Sequence, residues 1–261
     1  MHQAGHITTP HHDIQSGLRL LCFNMQVGIQ TQRYHHYVTR CWQHLLPYAQ
    51  RNNHLQLMAR VFEDYDVVAL QEADGGSFRS GRVNQVEYLA QHAQFPHHVQ
   101  QLNRNLGALA QHSNGLLSRP AFAAIETHVL PGWLPGRGAL AAQLEWPHGQ
   151  MLHIISAHLA LGAKAQRQQL DFIAQQVPQH QPCIVMGDFN CSAQALLAHP
   201  RLRETGLQLL TLNHPSYPSW RPLKGLDHVL VSPQLAGAQV KLLPPLFSDH
   251  LPLDIWLPRP T

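Results

Sequence analysis

Charge is what this chain has least of. Only 13% of its 261 residues are Asp, Glu, Lys or Arg, against about 25% in an ordinary globular domain. Lysine is scarce, no Lys/Arg run exists, and the formal net charge is only +3. A basic coat for nucleic acid is therefore not implied. The four cysteines, Cys22, Cys41, Cys183 and Cys191, include no pair at the CxxC spacing of a zinc or redox site. Cys22 and Cys183 sit in apolar runs and read as small core residues. Free thiols and a reducing, cytoplasmic setting are the expectation. No stretch approaches 18 consecutive apolar residues, so no membrane span is expected. The polar, His-rich segment 1–17 lacks the apolar stretch of a signal peptide.

What the chain does have is apolar material and histidine. Its 44% hydrophobic residues can bury a substantial core. Its 21 histidines would make the surface more positive below about pH 6.5. Apolar runs predict strands at 18–23, 66–71, 112–118, 123–130, 139–145, 152–157, 183–186, 226–231, 238–242 and 251–257. Apolar residues at Leu55, Met58, Ala59 and Phe62 have helical spacing. Helices are also expected at 84–92, at 193–198 and at 163–176, the last stopping at Pro178. Residues 103–111 read as loop, and 33–53 as a helix or loop insertion. With no repeat and no clear linker, residues 18–261 read as one domain behind the polar segment 1–17. Two β-sheets packed face to face with helices outside fit this order best.

Reactive side chains follow the apolar runs: Asn24, Glu72, His158 and Asp188 each stand at or just after a strand end, where a rigid scaffold presents functional groups. The ending adds Leu226-Asp227-His228 and Ser248-Asp249-His250. Two acids can hold a hard divalent cation, a carboxylate can orient a histidine, and an Asp/Asn pair can position a water. That is equipment for hydrolysing a phosphate ester.

Seven pieces in order carry a family resemblance: Cys22-Phe23-Asn24, Ala69-Leu70-Gln71-Glu72, Ser113-Asn114-Gly115-Leu116-Leu117-Ser118, Ser156-Ala157-His158-Leu159, Gly187-Asp188-Phe189-Asn190, Leu226-Asp227-His228 and Ser248-Asp249-His250. Over residues 18–257 the chain resembles the endonuclease/exonuclease/phosphatase superfamily. The resemblance implies a four-layer α/β sandwich, two mainly antiparallel sheets flanked by helices, and a Mg²⁺- or Mn²⁺-dependent phosphoesterase, above all a phosphodiester hydrolase. It implies Glu72, Asn24 and Asp249 around the metal. Asp188 would activate the attacking water, and Asn190 would hold the phosphate. His250, polarised by Asp227, would stabilise the transition state, and His158 would donate to the phosphate or act as general acid. Asn114 and Arg137, the latter in an Arg-Gly pair, would bind phosphate. His228 is a weaker candidate.

Two departures stand out. Gln26 occupies a position where some relatives carry an Asp, leaving the site one charge poorer. The 33–53 insertion, with Tyr34, His35, His36, Tyr37 and Trp42, could line the cleft or pack as a helix; adjacent His35 and His36 are badly placed to grip one metal, so no zinc site is expected. The substrate stays open between nucleic acid, a phospholipid head group and a small metabolite, and no obligate protein partner is indicated. A non-catalytic binding module of the same fold is the rival from another class.

Overall fold

The computed structural model describes residues 17–28, 50–133, 135–146 and 149–258. Segment 1–16, Cys41 and the insertion's Tyr34, His35, His36, Tyr37 and Trp42 lie outside the described residues.

Apolar residues alternate between two different cores. In β1 (Gly17–Asn24), Leu18, Leu20 and Cys22 join a cluster between the sheets, while Leu21 and Phe23 join a cluster beneath helices. β2 (Val67–Asp74) repeats this, with Val67 and Ala69 on one side and Val68 and Leu70 on the other. Successive strand side chains point to opposite faces. A strand covered on both faces reads as an unbroken apolar run, which is why these strands were legible.

Beside them stand β3 (His97–Asn105), β4 (Gln111–Ser118), β11 (Gln239–Leu242) and β12 (Leu253–Pro258), completing a sheet ordered β11-β12-β1-β2-β4-β3. The second sheet contains β5 (Phe122–Val129), β6 (Gly138–Trp146), β7 (Gln150–His158), β8 (Cys183–Asp188), β9 (Gln208–Leu209) and β10 (Asp227–Val231), ordered β5-β6-β7-β8-β10-β9. Among the described residues each sheet is mixed: one parallel pair, β1/β2 or β7/β8, within otherwise antiparallel pairings.

Helices α1 (Gln50–Phe62) and α2 (Gln85–His92) cover the outside of the first sheet through Leu55, Met58, Phe62 and Leu89. Asn84 caps α2 by accepting from the Glu87 N–H. Helix α3 (Ala163–Gln176), with short α4 (Ala193–Leu197) and α5 (Pro200–Glu204), covers the second sheet through Leu170, Ile173, Leu196 and Leu202. The result is the expected helix–sheet–sheet–helix order.

The loop expected at 103–111 is corrected: its start is the end of β3, which pairs with β4 as far as Asn105 opposite Gln111. β3 is an edge strand rich in His, Gln and Asn, with few buried positions. It offers no apolar run to read. Gly17, expected in the N-terminal segment, opens β1.

Candidate active site

The two parallel pairs deliver the polar residues to one place. β1 ends in Asn24, β7 in His158 and β8 in Asp188. Asp227 opens β10 opposite Asp188. Asn24 joins the sheets: its Nδ2 donates to Asp188 Oδ2 at 2.9 Å. Glu72 gets there by a local irregularity. The β2/β4 register shifts between Leu70 and Ala73, and Glu72 has φ 55°, a conformation rare for a side chain larger than glycine. Such a bulge re-aims a side chain, and here it turns Glu72 toward His158, whose Nε2 lies 3.7 Å from Oε1. Gly187 has no room for a side chain: a Cβ there would lie 1.9 Å from the Ala157 carbonyl oxygen.

His250 is held between carboxylates. Its Nδ1 donates to Asp227 Oδ2 at 2.7 Å and its Nε2 is 3.9 Å from Asp188 Oδ2. Burial opposes a charged ring, but Asp227 and Asp188 outweigh it and hold the His250 pKa well above the usual imidazole range. Burial first, then the neighbouring Asp227 charge, raises Asp188 against the opposing pull of His250. A proton on Asp188 would remove part of what raises His250. The short Asp227 hydrogen bond decides the location: the proton sits on His250, and Asp188 is left as the carboxylate. His158 behaves oppositely. Burial and then the Arg137 and His250 charges push its pKa well below the usual range. It is therefore a neutral hydrogen-bonding group, although Asp188 lies 3.5 Å away. That leaves the phosphate-donor role open to it and weakens the general-acid role.

Asp249 accepts from Gln26 Nε2 at 3.0 Å. Burial and then the charge of Asp249 raise the pKa of Glu72, which keeps 33% of its side chain open within a concave wall. Asn24 Oδ1 accepts from the Gln26 N–H, so its amide acts here as a donor that orients carboxylates. Asn114 is buried, donating from Nδ2 to the Gly138 carbonyl, with Oδ1 unpartnered among the described residues. The Arg137 guanidinium lies against the ring nitrogens of His158. Glu72, Asn114, Arg137 and His158 line one cleft of about 140 Å³. Larger hollows of 520 to 620 Å³ lie elsewhere, so size does not mark this site; its carboxylates do.

Asn190 closes the turn that follows β8. At φ 51° its backbone N–H donates to Asp188 Oδ1 and its Nδ2 donates to the Leu159 carbonyl, an Asx turn that fixes Asp188. His228 is structural: Nδ1 meets Thr211 Oγ1 and Nε2 meets the Cys191 carbonyl, both at 2.9 Å. Three contributors escaped the sequence reading. Ser216 Oγ donates to Asp227 Oδ2. Ser248 Oγ donates to the Asn24 carbonyl at 2.6 Å. The Tyr217 ring sits 5.0 Å from that of His250. Only the Ser248-Asp249-His250 motif hinted at any of them.

Residues 21–250 match the profile of the endonuclease/exonuclease/phosphatase family. The chain belongs to that family. Members of the endonuclease/exonuclease/phosphatase family are hydrolases acting on phosphoester bonds. A family protein from Beutenbergia cavernae DSM 12333 is similar in structure, with TM-score 0.72, 20% identity, and coverage of 93% of this chain and 72% of that one. A mannosyl-6-phosphatase of Bacteroides thetaiotaomicron VPI-5482 gives 0.65 and 15%, covering 91% and 98%. D. rerio TDP2, complexed with a single-strand DNA product, gives 0.64 and 16%, covering 92% and 98%. No curated protein matches the sequence significantly.

Proposed function

We propose that this protein is a divalent-metal-dependent phosphodiester hydrolase in which water attacks phosphorus in line. The observation that carries the proposal is the connected set Asp227–His250, Asp188–Asn24 and Glu72 with Asp249, assembled from both sheets. Glu72 and Asp249 are oxygen donors whose charges oppose each other, so a hard cation such as Mg²⁺ or Mn²⁺ fits between them better than solvent does. Asp188, Asp227 and His250 also approach closely enough to hold an ion, but the ring of His250 is already occupied by its proton. When bound, the ion supplies positive charge against the phosphate.

The chain's own groups do the rest. Asp188, kept basic by its burial, takes the proton of the attacking water. His250, charged through Asp227, donates to the oxygens that gain charge at the transition state. Neutral His158 adds a hydrogen bond, and Asn114 and Arg137 hold the phosphate. Asn24 keeps Asp188 and Glu72 aligned, and Asn190 fixes the turn that carries Asp188. Among the described residues no helix is long and apolar enough to cross a membrane. The buried free thiols Cys22, Cys183 and Cys191 suit a reducing cytoplasmic setting. Candidate substrates are nucleic acid, a phospholipid head group or a small metabolite, and residues 18–261 act as one catalytic domain.

Hydrolysis of bis-(p-nitrophenyl) phosphate beside p-nitrophenyl phosphate, in Mg²⁺, Mn²⁺ or EDTA, tests this. Metal-dependent diester cleavage lost in His250→Ala is expected. A folded parent that neither binds metal nor cleaves either ester would leave a binding module of the same fold.

A further inference from the structure

The cleft that Glu72 and His158 line also takes in side chains outside the catalytic cluster. Its volume is about 140 Å³, room for a compact oxyanion. Arg104 on β3 and His112 on β4, cross-strand partners in register, are among its lining residues. Gly136 braces Arg104. With φ 109°, the glycine runs under the arginine stem, where a Cβ would stand 3.2 Å from Arg104 Cβ and 3.3 Å from Cδ.

Among the described residues, Arg19, Arg79 and Arg201 each pair with a carboxylate, while Arg104 and Arg137 pair with none. Burial first, then the charges of Arg79, Arg104 and Arg137 against the opposing pull of Asp74, bring His112 down to about 4. In a chain so poor in charge, Arg104 and Arg137 both line one small cleft. The sole acid in its wall is Glu72, assigned above to the cation.

We propose that Arg104 forms a second anion subsite beside the phosphate that Arg137 holds, and that the natural substrate carries a second phosphate group a few bonds from the scissile one. A guanidinium fork matches phosphate oxygens and stays charged at any physiological pH. Arg104 is thereby a specificity-determining residue outside the reacting cluster. The substrate class rests on the phosphoesterase reading above, whereas the anion subsite can be measured without turnover.

The test is isothermal titration of the full chain in Ca²⁺ with two pairs of ligands: thymidine 3′,5′-bisphosphate against thymidine 5′-monophosphate, and fructose 1,6-bisphosphate against fructose 6-phosphate. The parent is expected to prefer the bisphosphate about tenfold in at least one pair. The pair that shows it separates a nucleotide from a small sugar as source. Arg104→Ala should remove most of that preference, and Arg104→Lys, which keeps the charge without the fork, should retain part of it. Arg104 is exposed on an edge strand, and an unchanged thermal midpoint would show that both variants fold. A parental preference below about threefold in both pairs, or one that survives Arg104→Ala, overturns the subsite. Absence of diester hydrolysis with the preference intact would instead overturn the catalytic reading.

Discussion

At the scale of single residues, the proposed chemistry depends on one proton held in place. His250 keeps it because Asp227 lies 2.7 Å away, and Ser216 in turn holds Asp227. Asp227→Asn should preserve the fold and lower kcat by about 10²- to 10⁴-fold, read by steady-state kinetics beside circular dichroism. A second buried carboxylate shows the same physics used for stability. Asp254 accepts from Arg19 Nε and Nη2 at 3.1 Å each and pairs with Lys241. Burial would raise its pKa, but these partners bring it below the usual carboxylate range. A depressed carboxyl stabilises the fold above its unfolded pKa of about 3.9, and that contribution is lost as pH falls through the folded value. Asp254→Asn should cost about 2 kcal/mol at pH 7, with the gap from the parent closing as pH drops below about 3.9, measured by urea denaturation.

At the scale of elements, the site depends on strands whose ends are fixed by close backbone approach. Gly187→Ala should push β8 from β7 and cost about 3 kcal/mol or more, lowering Tm by roughly 6–12 °C for a chain of this size. An unchanged calorimetric midpoint would contradict that packing. Legibility follows the same logic. Strands covered on both faces announced themselves as apolar runs, and Asn24, Glu72, His158 and Asp188 were readable because each ends or follows such a run. β3 was not, since only its polar Gln101 is buried and the strand needs neither an apolar run nor apolar alternation. Ser216, Arg104 and His112 were not either, since only tertiary packing brings them to the cleft. His228 and Asn190 looked like reactive groups in the sequence because a histidine serving Thr211 and Cys191, or an amide closing a turn, has the same letters as one serving a substrate.

At the scale of the molecule, the cleft accumulates unfavourable charge. Burial and then the charge of Asp249 raise the pKa of Glu72, and a carboxylate whose folded pKa is raised destabilises the fold at neutral pH. Glu72→Gln should therefore raise Tm in EDTA by about 2–4 °C, the equivalent of about 1 kcal/mol, while abolishing turnover. Added Mg²⁺ should stabilise the parent by about 2.7 kcal/mol at 100 times its Kd and leave Glu72→Gln nearly unmoved. Differential scanning fluorimetry with and without Mg²⁺ reads both effects. The pairing of β1 with β12, Leu18 opposite Leu257 and Cys22 opposite Leu253, has a consequence for biosynthesis. On the ribosome the first strand waits for a neighbour made more than 200 residues later, at least about ten seconds at 5–20 residues per second. Throughout that interval one edge of β1 is open and His250 does not yet exist. The nascent chain is thus most exposed to misassociation while it is still inert, and competence arrives only with its final strand.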